Sequence, residues 1–130
     1  MGNEAVLVYK VGFPINFIVA NGTGIEKGCL LAMTDPMTAA AAVSLSQTPA
    51  GIAAQEKIAS NGQTELAVYR NGYFRVKISG AVTVGDALAH SGTANFLIAV
   101  AANISGSKVF GTALETGTTG ESILMELKIR

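Results

Sequence analysis

The sequence predicts a mainly β protein, a small single-domain barrel or sandwich with at most short helical turns. Three observations lead to this prediction. About eight short runs are rich in Val, Ile, Leu, Tyr and Phe, and several alternate apolar with polar residues. Turn residues separate these runs, as expected for a chain with 15 Gly. The runs do not alternate with amphipathic helical segments, which argues against a parallel α/β sheet.

Composition narrows the possible functions. A chain of 130 residues is typical of one domain. Nine Lys and Arg balance nine Asp and Glu, and charged residues make up only 14%, so we expect neither a nucleic-acid partner nor an acidic membrane surface. The longest apolar run, 96–102, is too short to cross a bilayer. The start of the chain lacks the features of a secretory signal, so we expect synthesis in the cytoplasm without export by the general secretory pathway.

The first half of the chain contains four predicted extended segments. Residues 5–11 and 14–20 are β-rich runs separated by Gly12 and Pro14. A strand at 29–33 and a short apolar segment at 51–54 follow. Between them, 37–46 contains four consecutive Ala but no amphipathic period. A short helical turn and a poorly specified loop therefore remain equally good interpretations of 37–46.

The sharpest local pattern lies in the middle of the chain. Alternating runs at 64–70 and 73–78 flank Asn71-Gly72, a pair that supplies the positive φ angles of a type I′ turn. This pattern predicts a β-hairpin. It also places Phe74, Val76 and Ile78 on one face of the second strand.

The second half predicts three more strands. The stretch 82–88 has room for a single helical turn near Asp86, and a strand at 95–100 follows it. The run 108–114 is interrupted at Gly111, as a bulge or a close backbone approach requires. The last run, 122–129, is predicted as a core strand with four apolar residues on one face: Ile123, Met125, Leu127 and Ile129.

Few residues in the sequence are candidates for catalysis or metal binding. His90 is the only histidine and has no nearby partner in the sequence, which favours a surface or turn position. Cys29 is the only cysteine and lies in an apolar run, so we expect a buried free thiol and no internal disulfide. The carboxylates lack the spacing of a calcium loop. A catalytic pair of acidic residues brought together by folding remains an open alternative. We predict no catalytic residue, no metal ligand and no cofactor.

Aromatic and basic residues alternate around the predicted hairpin. Tyr69, Arg70, Tyr73 and Arg75 have the composition of a subunit or partner interface. Cross-strand pairs that only stabilise a hairpin fit the same pattern equally well.

Several motifs together resemble a known family. The segment Ala50-Gly51-Ile52-Ala53-Ala54 precedes the run 64–75, and 25–39, 82–86 and 110–115 extend the likeness on both sides. In this order, these segments resemble the head decoration (capsid cement) proteins of tailed bacteriophages, lambda-type decoration proteins included.

The resemblance implies a β-clip or β-tulip-like fold, a homotrimer, and a place on the outer surface of the virion. There the protein would bind the expanded capsid and stabilise it by bridging neighbouring major capsid subunits, without catalysis. It further implies an extended N-terminal arm at 1–20 and a decoration domain at 21–130. The capsid-contact residues would be Ala5, Val6, Leu7, Val8 and Tyr9, which add a strand to the shell.

Two other classes of function remain as alternatives. A virion attachment or lectin-like β-sandwich domain that binds host surface glycans would share the β-rich surface but requires a concave ligand site. A hydrolase with carboxylates assembled by the fold would lose turnover when one acid is neutralised.

Overall fold

The structure is a computed structural model that describes residues 4–44, 47–100 and 108–129. Within these ranges the chain is nearly all β-strands and turns and has no α-helix, which confirms the predicted mainly β class. The strands are β1 (Val6–Tyr9), β2 (Ile15–Ile18), β3 (Leu30–Asp35), β4 (Thr38–Ala41), β5 (Pro49–Ala53), β6 (Glu65–Tyr69), β7 (Asn71–Ile78), β8 (Ala87–His90), β9 (Phe96–Val100), β10 (Gly111–Ala113) and β11 (Ser122–Lys128).

The strands form two five-stranded barrels in tandem. The first barrel closes in the order β2-β4-β3-β5-β6. In the second sheet β7, β11, β10, β8 and β9 are neighbours in that order, and pairing of β9 with β7 closes the ring. Starting at β7 and passing through β9, the order is β7-β9-β8-β10-β11, which repeats the order of the first barrel. β1 lies outside both rings and pairs with β7.

The two barrels also match in register. Each has one parallel pairing, with Ile18 opposite Thr38 in the first barrel and Lys77 opposite Phe96 in the second. The antiparallel pairs match as well: Phe17–Leu66 with Val76–Ile123, Leu31–Gly51 with Leu88–Gly111, and Met33–Ala39 with His90–Leu97. The chain therefore contains an internal structural repeat, in which one five-stranded unit occurs twice.

Close backbone approach explains one pair of glycines in this repeat. Gly51 on β5 and Gly111 on β10 occupy matching positions. A Cβ atom on Gly51 would collide with the carbonyl oxygen of Tyr69, and one on Gly111 with that of Glu126. Any side chain here would push the neighbouring strand away, so this barrel design requires glycine at both positions.

The barrels are packed into one body. One buried cluster lies within the first barrel, around Phe17 and Leu31. A second cluster fills the other barrel around Phe74 and Phe110, and it includes Leu30 and Ile52 of the first barrel. The two halves therefore share apolar contacts, and burial of this shared surface stabilises them together.

Polar contacts reinforce the junction between the barrels. The Leu30 N–H donates to Asn95 Oδ1 at 3.0 Å, and Lys108 Nζ donates to Thr48 Oγ1 at 3.1 Å. Both bonds connect a residue of the first half to one of the second half.

The predicted hairpin at Asn71-Gly72 is wrong. β6 and β7 do not pair with each other, and the chain runs from one barrel into the next with only Arg70 between the two strands. Gly72 has a positive φ of 134°, but it lies inside β7 rather than in a turn. The reason is that the apolar faces of the two runs belong to different cores, and this separation overrides the local turn propensity of Asn-Gly. The predicted alternation along 73–78 is confirmed.

Two segments in which the sequence left room for a helical turn have other structure. The Ala-rich segment contains β4, and Met37 at φ 50° forms the turn before it; residues 45–46 lie outside the described ranges. Small alanines fit here because β4 pairs with both β2 and β3, where Ala39 is buried. Near Asp86 a tight turn leads directly into β8, and the Asp86 carboxylate accepts the Thr83 N–H at 2.9 Å.

The segment predicted as an N-terminal arm spans two elements. β1 lies on the edge of β7, whereas β2 is a strand of the first barrel and pairs with β6. The barrel therefore begins at Ile15. The capsid-contact role of β1 stays a prediction.

Candidate interaction surface

An apolar strip follows the start of the chain. Val6, Val8, Tyr9, Val11 and Phe13 are all exposed, Phe13 to 84% and Tyr9 to 67%. We call these five residues the N-terminal apolar strip. Exposed apolar residues that cluster in this way are typical of surfaces that bind another macromolecule.

The strand that carries this strip is fixed on one side. Ala5 is buried and its N–H donates to the Gly28 carbonyl at 2.8 Å. Leu7 packs against the core of the second barrel, directly opposite Phe74. The Leu7 side chain thus anchors β1, while the side chains of its neighbours Val6 and Val8 face outward.

The other edge of β1 is unpaired in the described part of the chain, since β1 pairs only with β7. An open recess of about 540 Å³ lies beside the start of β1, and its lining residues are Glu4, Ala5, Val6, Leu7 and Lys27. An edge strand with free backbone groups can pair with an additional strand. β1 therefore combines a free edge with an exposed apolar face.

The structure separates the predicted aromatic and basic group into two parts. Tyr69 and Arg70 face the junction between the barrels: the Tyr69 ring packs edge-on against Phe74, 5.6 Å between centroids. The Arg70 guanidinium donates to the Ala50 carbonyl at 3.2 Å and lies 5.7 Å from the Phe17 ring centroid. Burial lowers the pKa of Arg70 from its ordinary value. These contacts give both residues a structural role.

Tyr73 and Arg75 lie on the outer face of β7. The Tyr73 ring meets Tyr9 edge-on at 6.1 Å, which extends the N-terminal apolar strip across β7. Arg75 forms a two-pronged ion pair with Glu115 at 3.0 and 3.2 Å, and the hydrogen bond from Arg75 lowers the pKa of Glu115. Tyr73 is therefore placed with the strip, and Arg75 is already paired.

His90 is buried, and its predicted surface or turn position is wrong. It ends β8, and its Nδ1 lies 3.1 Å from the Ser44 carbonyl oxygen, which reaches it from the first barrel. Within the described ranges Nε2 has no hydrogen-bond partner. Burial lowers the pKa of His90, so the ring is neutral at pH 7. The packing of the two barrels, which the sequence patterns did not reveal, covers this residue.

Cys29 is a partly buried free thiol, as predicted. Burial and the nearby Glu4 and Glu26 carboxylates raise its pKa to about 11. Since the thiolate is the reactive form, Cys29 is chemically quiet at neutral pH. In the ranges 4–44, 47–100 and 108–129, no three His, Cys, Asp or Glu residues are grouped as metal ligands.

Some exposed apolar residues were missed by the sequence patterns. The sequence pattern places Ile15 and Ile18 in a strand without marking them as exposed, yet they are 44% and 50% exposed. Val11 and Phe13 continue the exposure of β1 toward them. The signal for the exposure of Phe13 was the pair Gly12 and Pro14. These two strand-breaking residues flank Phe13 and exclude it from both neighbouring strands.

The fold defines an all-β protein of two tandem five-stranded barrels with an apolar strip at one edge. Within the described ranges no helix has the length and apolar character to cross a bilayer. No model of a known protein family matches the chain, and no curated protein matches it. Its fold is similar to a solved structure, the N base of head fiber gp8.5 of bacteriophage phi29. The match covers 88% of this chain and 92% of that chain, with a TM-score of 0.53 and 20% identity.

Proposed function

We propose that this protein is a structural component of a tailed-phage virion that binds the outside of the expanded head. There it would stabilise the shell by bridging neighbouring major capsid subunits. The observation that carries this proposal is the N-terminal apolar strip on an anchored edge strand. The fold similarity to a phage head fiber base and the motif resemblance to decoration proteins support it.

The strip indicates how the contact is made. Val6, Val8 and Tyr9 present side chains to a partner, whereas Ala5 and Leu7 hold β1 on the barrel. Among the five residues predicted to contact the capsid, these three therefore supply the side-chain contacts. Tyr73 packs against Tyr9 and belongs to the same surface.

Assembly energetics favour this role. A protein that binds only the expanded lattice stabilises that state by mass action. A homotrimer presents three strips at once, so modest individual contacts become strong through avidity. The proposed role is structural and involves no catalysis and no cofactor.

The test is co-sedimentation with capsid shells of the encoding phage that lack this protein, in expanded and unexpanded forms. We expect saturable binding to expanded shells only. The variant Val6→Ser/Val8→Ser loses about 2 kcal/mol of apolar burial in the contact, which weakens binding roughly thirtyfold. Val84→Ser is the matched control, since Val84 is 57% exposed and is not part of the strip but of the turn before β8.

Two results would contradict the proposal. Absence of wild-type binding to both kinds of shell removes the capsid role, and a glycan array on the same sample then tests the attachment alternative. Equal loss of binding in the Val6→Ser/Val8→Ser variant and in the control removes the strip as the contact surface.

A further inference from the structure

The internal repeat makes the surroundings of β2 and β7 directly comparable. Ile18 and Lys77 occupy the matching positions of the parallel pairings. Counting back along each strand, Asn16 matches Arg75, and Ile15 matches Phe74. In the second barrel β1 lies beside this part of β7, with Val6 opposite Arg75 and Leu7 opposite Phe74.

The matching edge of the first barrel is empty in the described part of the chain. On that side β2 pairs with β4 at Ile18 alone. The Ile18 N–H donates to the Met37 carbonyl on the β4 side, whereas the Val19 N–H donates to Thr64 on the β6 side. Because backbone groups alternate along a strand, the N–H and carbonyl of Asn16 point to the same side as those of Ile18. They therefore face the empty edge.

Side-chain exposure differs in the same way. Phe74 is 1% exposed beneath Leu7, while its counterpart Ile15 is 44% exposed. Four large apolar residues surround the empty edge: Phe13, Ile15, Ile18 and Met37, each at least 44% exposed. We call them the β2-edge patch. A strand laid along β2 would cover this patch as β1 covers Phe74.

β1 has backbone groups that fit this edge. β1 and β9 lie along the same edge of β7. The Ser79 N–H donates to the Leu97 carbonyl at this edge. Because backbone groups alternate along a strand, the backbone N–H and carbonyl of Arg75, four residues earlier, point to the same edge. Val6, opposite Arg75, therefore turns its backbone toward β7, and the N–H and carbonyl of Leu7 point away. The Ala5 N–H, which bonds to Gly28 rather than to β7, follows the same alternation.

We propose that β1 of one copy pairs through its outer edge with the empty β2 edge of a second copy, with Leu7 opposite Asn16. β1 then remains paired with β7 of its own chain through one edge and pairs with β2 of the second copy through the other edge. A second copy is the occupant because β1 is the strand that this chain already places at the equivalent position. The chain has a net charge of +0, so two copies meet without overall repulsion. The contact joins different surfaces of each copy, and such a contact forms a ring when the rotation between copies closes, as the proposed homotrimer requires.

This inference rests on the self-association in the proposed function and does not depend on the capsid. The test is sedimentation velocity of the full chain over a range of concentrations. The decisive variant is Asn16→Pro, which removes the N–H at the empty edge, where proline is tolerated. Asn16→Ala is the matched control, because it removes the side chain and keeps the N–H. We expect a closed oligomer for the wild type and for Asn16→Ala, and self-association more than about tenfold weaker for Asn16→Pro.

A second variant keeps the test decisive if proline disturbs the fold. Phe13→Ser/Ile15→Ser removes apolar cover from the patch, and Ile58→Ser removes a 67% exposed residue elsewhere as its control. A monomeric wild type, or an Asn16→Pro oligomer as tight as the wild type, overturns the inference. Shell binding is measured separately. An oligomer that depends on Asn16 but does not bind shells keeps this inference and removes the capsid role.

Discussion

Replacement of His90 by methionine should remove a pH-dependent component of stability. Met33 occupies the matching position in the first barrel, so the repeat itself supplies a side chain that fits this site. Two backbone groups meet Nδ1: the Gly92 N–H, which donates to it at 3.1 Å, and the Ser44 carbonyl oxygen, also at 3.1 Å. The charged ring carries an N–H at both nitrogens, so Nδ1 can no longer accept from Gly92, and the described residues offer the Nε2–H no acceptor. The folded state therefore disfavours the charged ring.

The sign and size follow from linkage. Burial lowers the pKa of His90 below its ordinary value of 6.5, so the unfolded chain binds this proton more readily. Stability is then fully present above pH 6.5 and is lost as the pH falls below it. Between pH 7.5 and 5.5 the loss is at most about 1.4 kcal/mol, the value of one pKa unit. The lowered pKa of Glu115 acts only below 4.5, outside this window.

Urea unfolding at pH 7.5, 6.5 and 5.5 measures this effect. We expect the free energy of unfolding of the wild type to fall toward pH 5.5, and that of His90→Met to stay nearly constant. Equal losses in the two proteins would refute the reasoning and assign the pH dependence to another group.

Three further predictions concern the barrels themselves. Gly51→Ala should cost at least about 2 kcal/mol in urea unfolding, because its Cβ meets the opposite strand; Gly22→Ala, whose Cβ has nothing within 4 Å, should stay within about 0.5 kcal/mol. Lys57→Met should cost about 2 kcal/mol or more, since the buried ammonium donates to the carbonyls of Asn21, Thr23 and Ile58, and the exposed Lys27→Met should be near neutral. At pH 8, Cys29 in the folded protein should react with a disulfide reagent about a hundredfold more slowly than in urea; equal rates would contradict its raised pKa.

Local alternation made the strands predictable. The runs around Phe74 and Met125 show period-two patterns, and both form strands with the predicted residues buried, except that Ile129 follows β11 and is only partly buried. The pairing partners were not predictable from such patterns, because the faces of β6 and β7 belong to different cores. The Asn71-Gly72 pair is a strong local turn signal, yet tertiary packing overrides it.

The repeat itself left only a faint trace in the sequence. Matching positions share few identical residues, chiefly Gly51 with Gly111 and Ala53 with Ala113. The available signal was a Gly-x-Ala sequence at these matching positions in each half of the chain. In both halves a further Gly and a Leu at matching positions precede it. The burial of His90 follows from how the two units meet, and the exposure of Ile15 follows from the position of β1 on β7 instead of β2. For this reason neither was visible in the sequence.

The place of β1 in the chain also sets when it forms. The pairing of Val6 with Arg75 encloses the whole first barrel, so its chain-closure entropy is large until that barrel has folded. Both barrels, in contrast, close within their own consecutive residues, 15–69 and 71–128. Contacts between near neighbours form first. We therefore expect β1 to dock last, so that the surface proposed to join copies is completed only after each chain has folded, which separates folding from assembly in time.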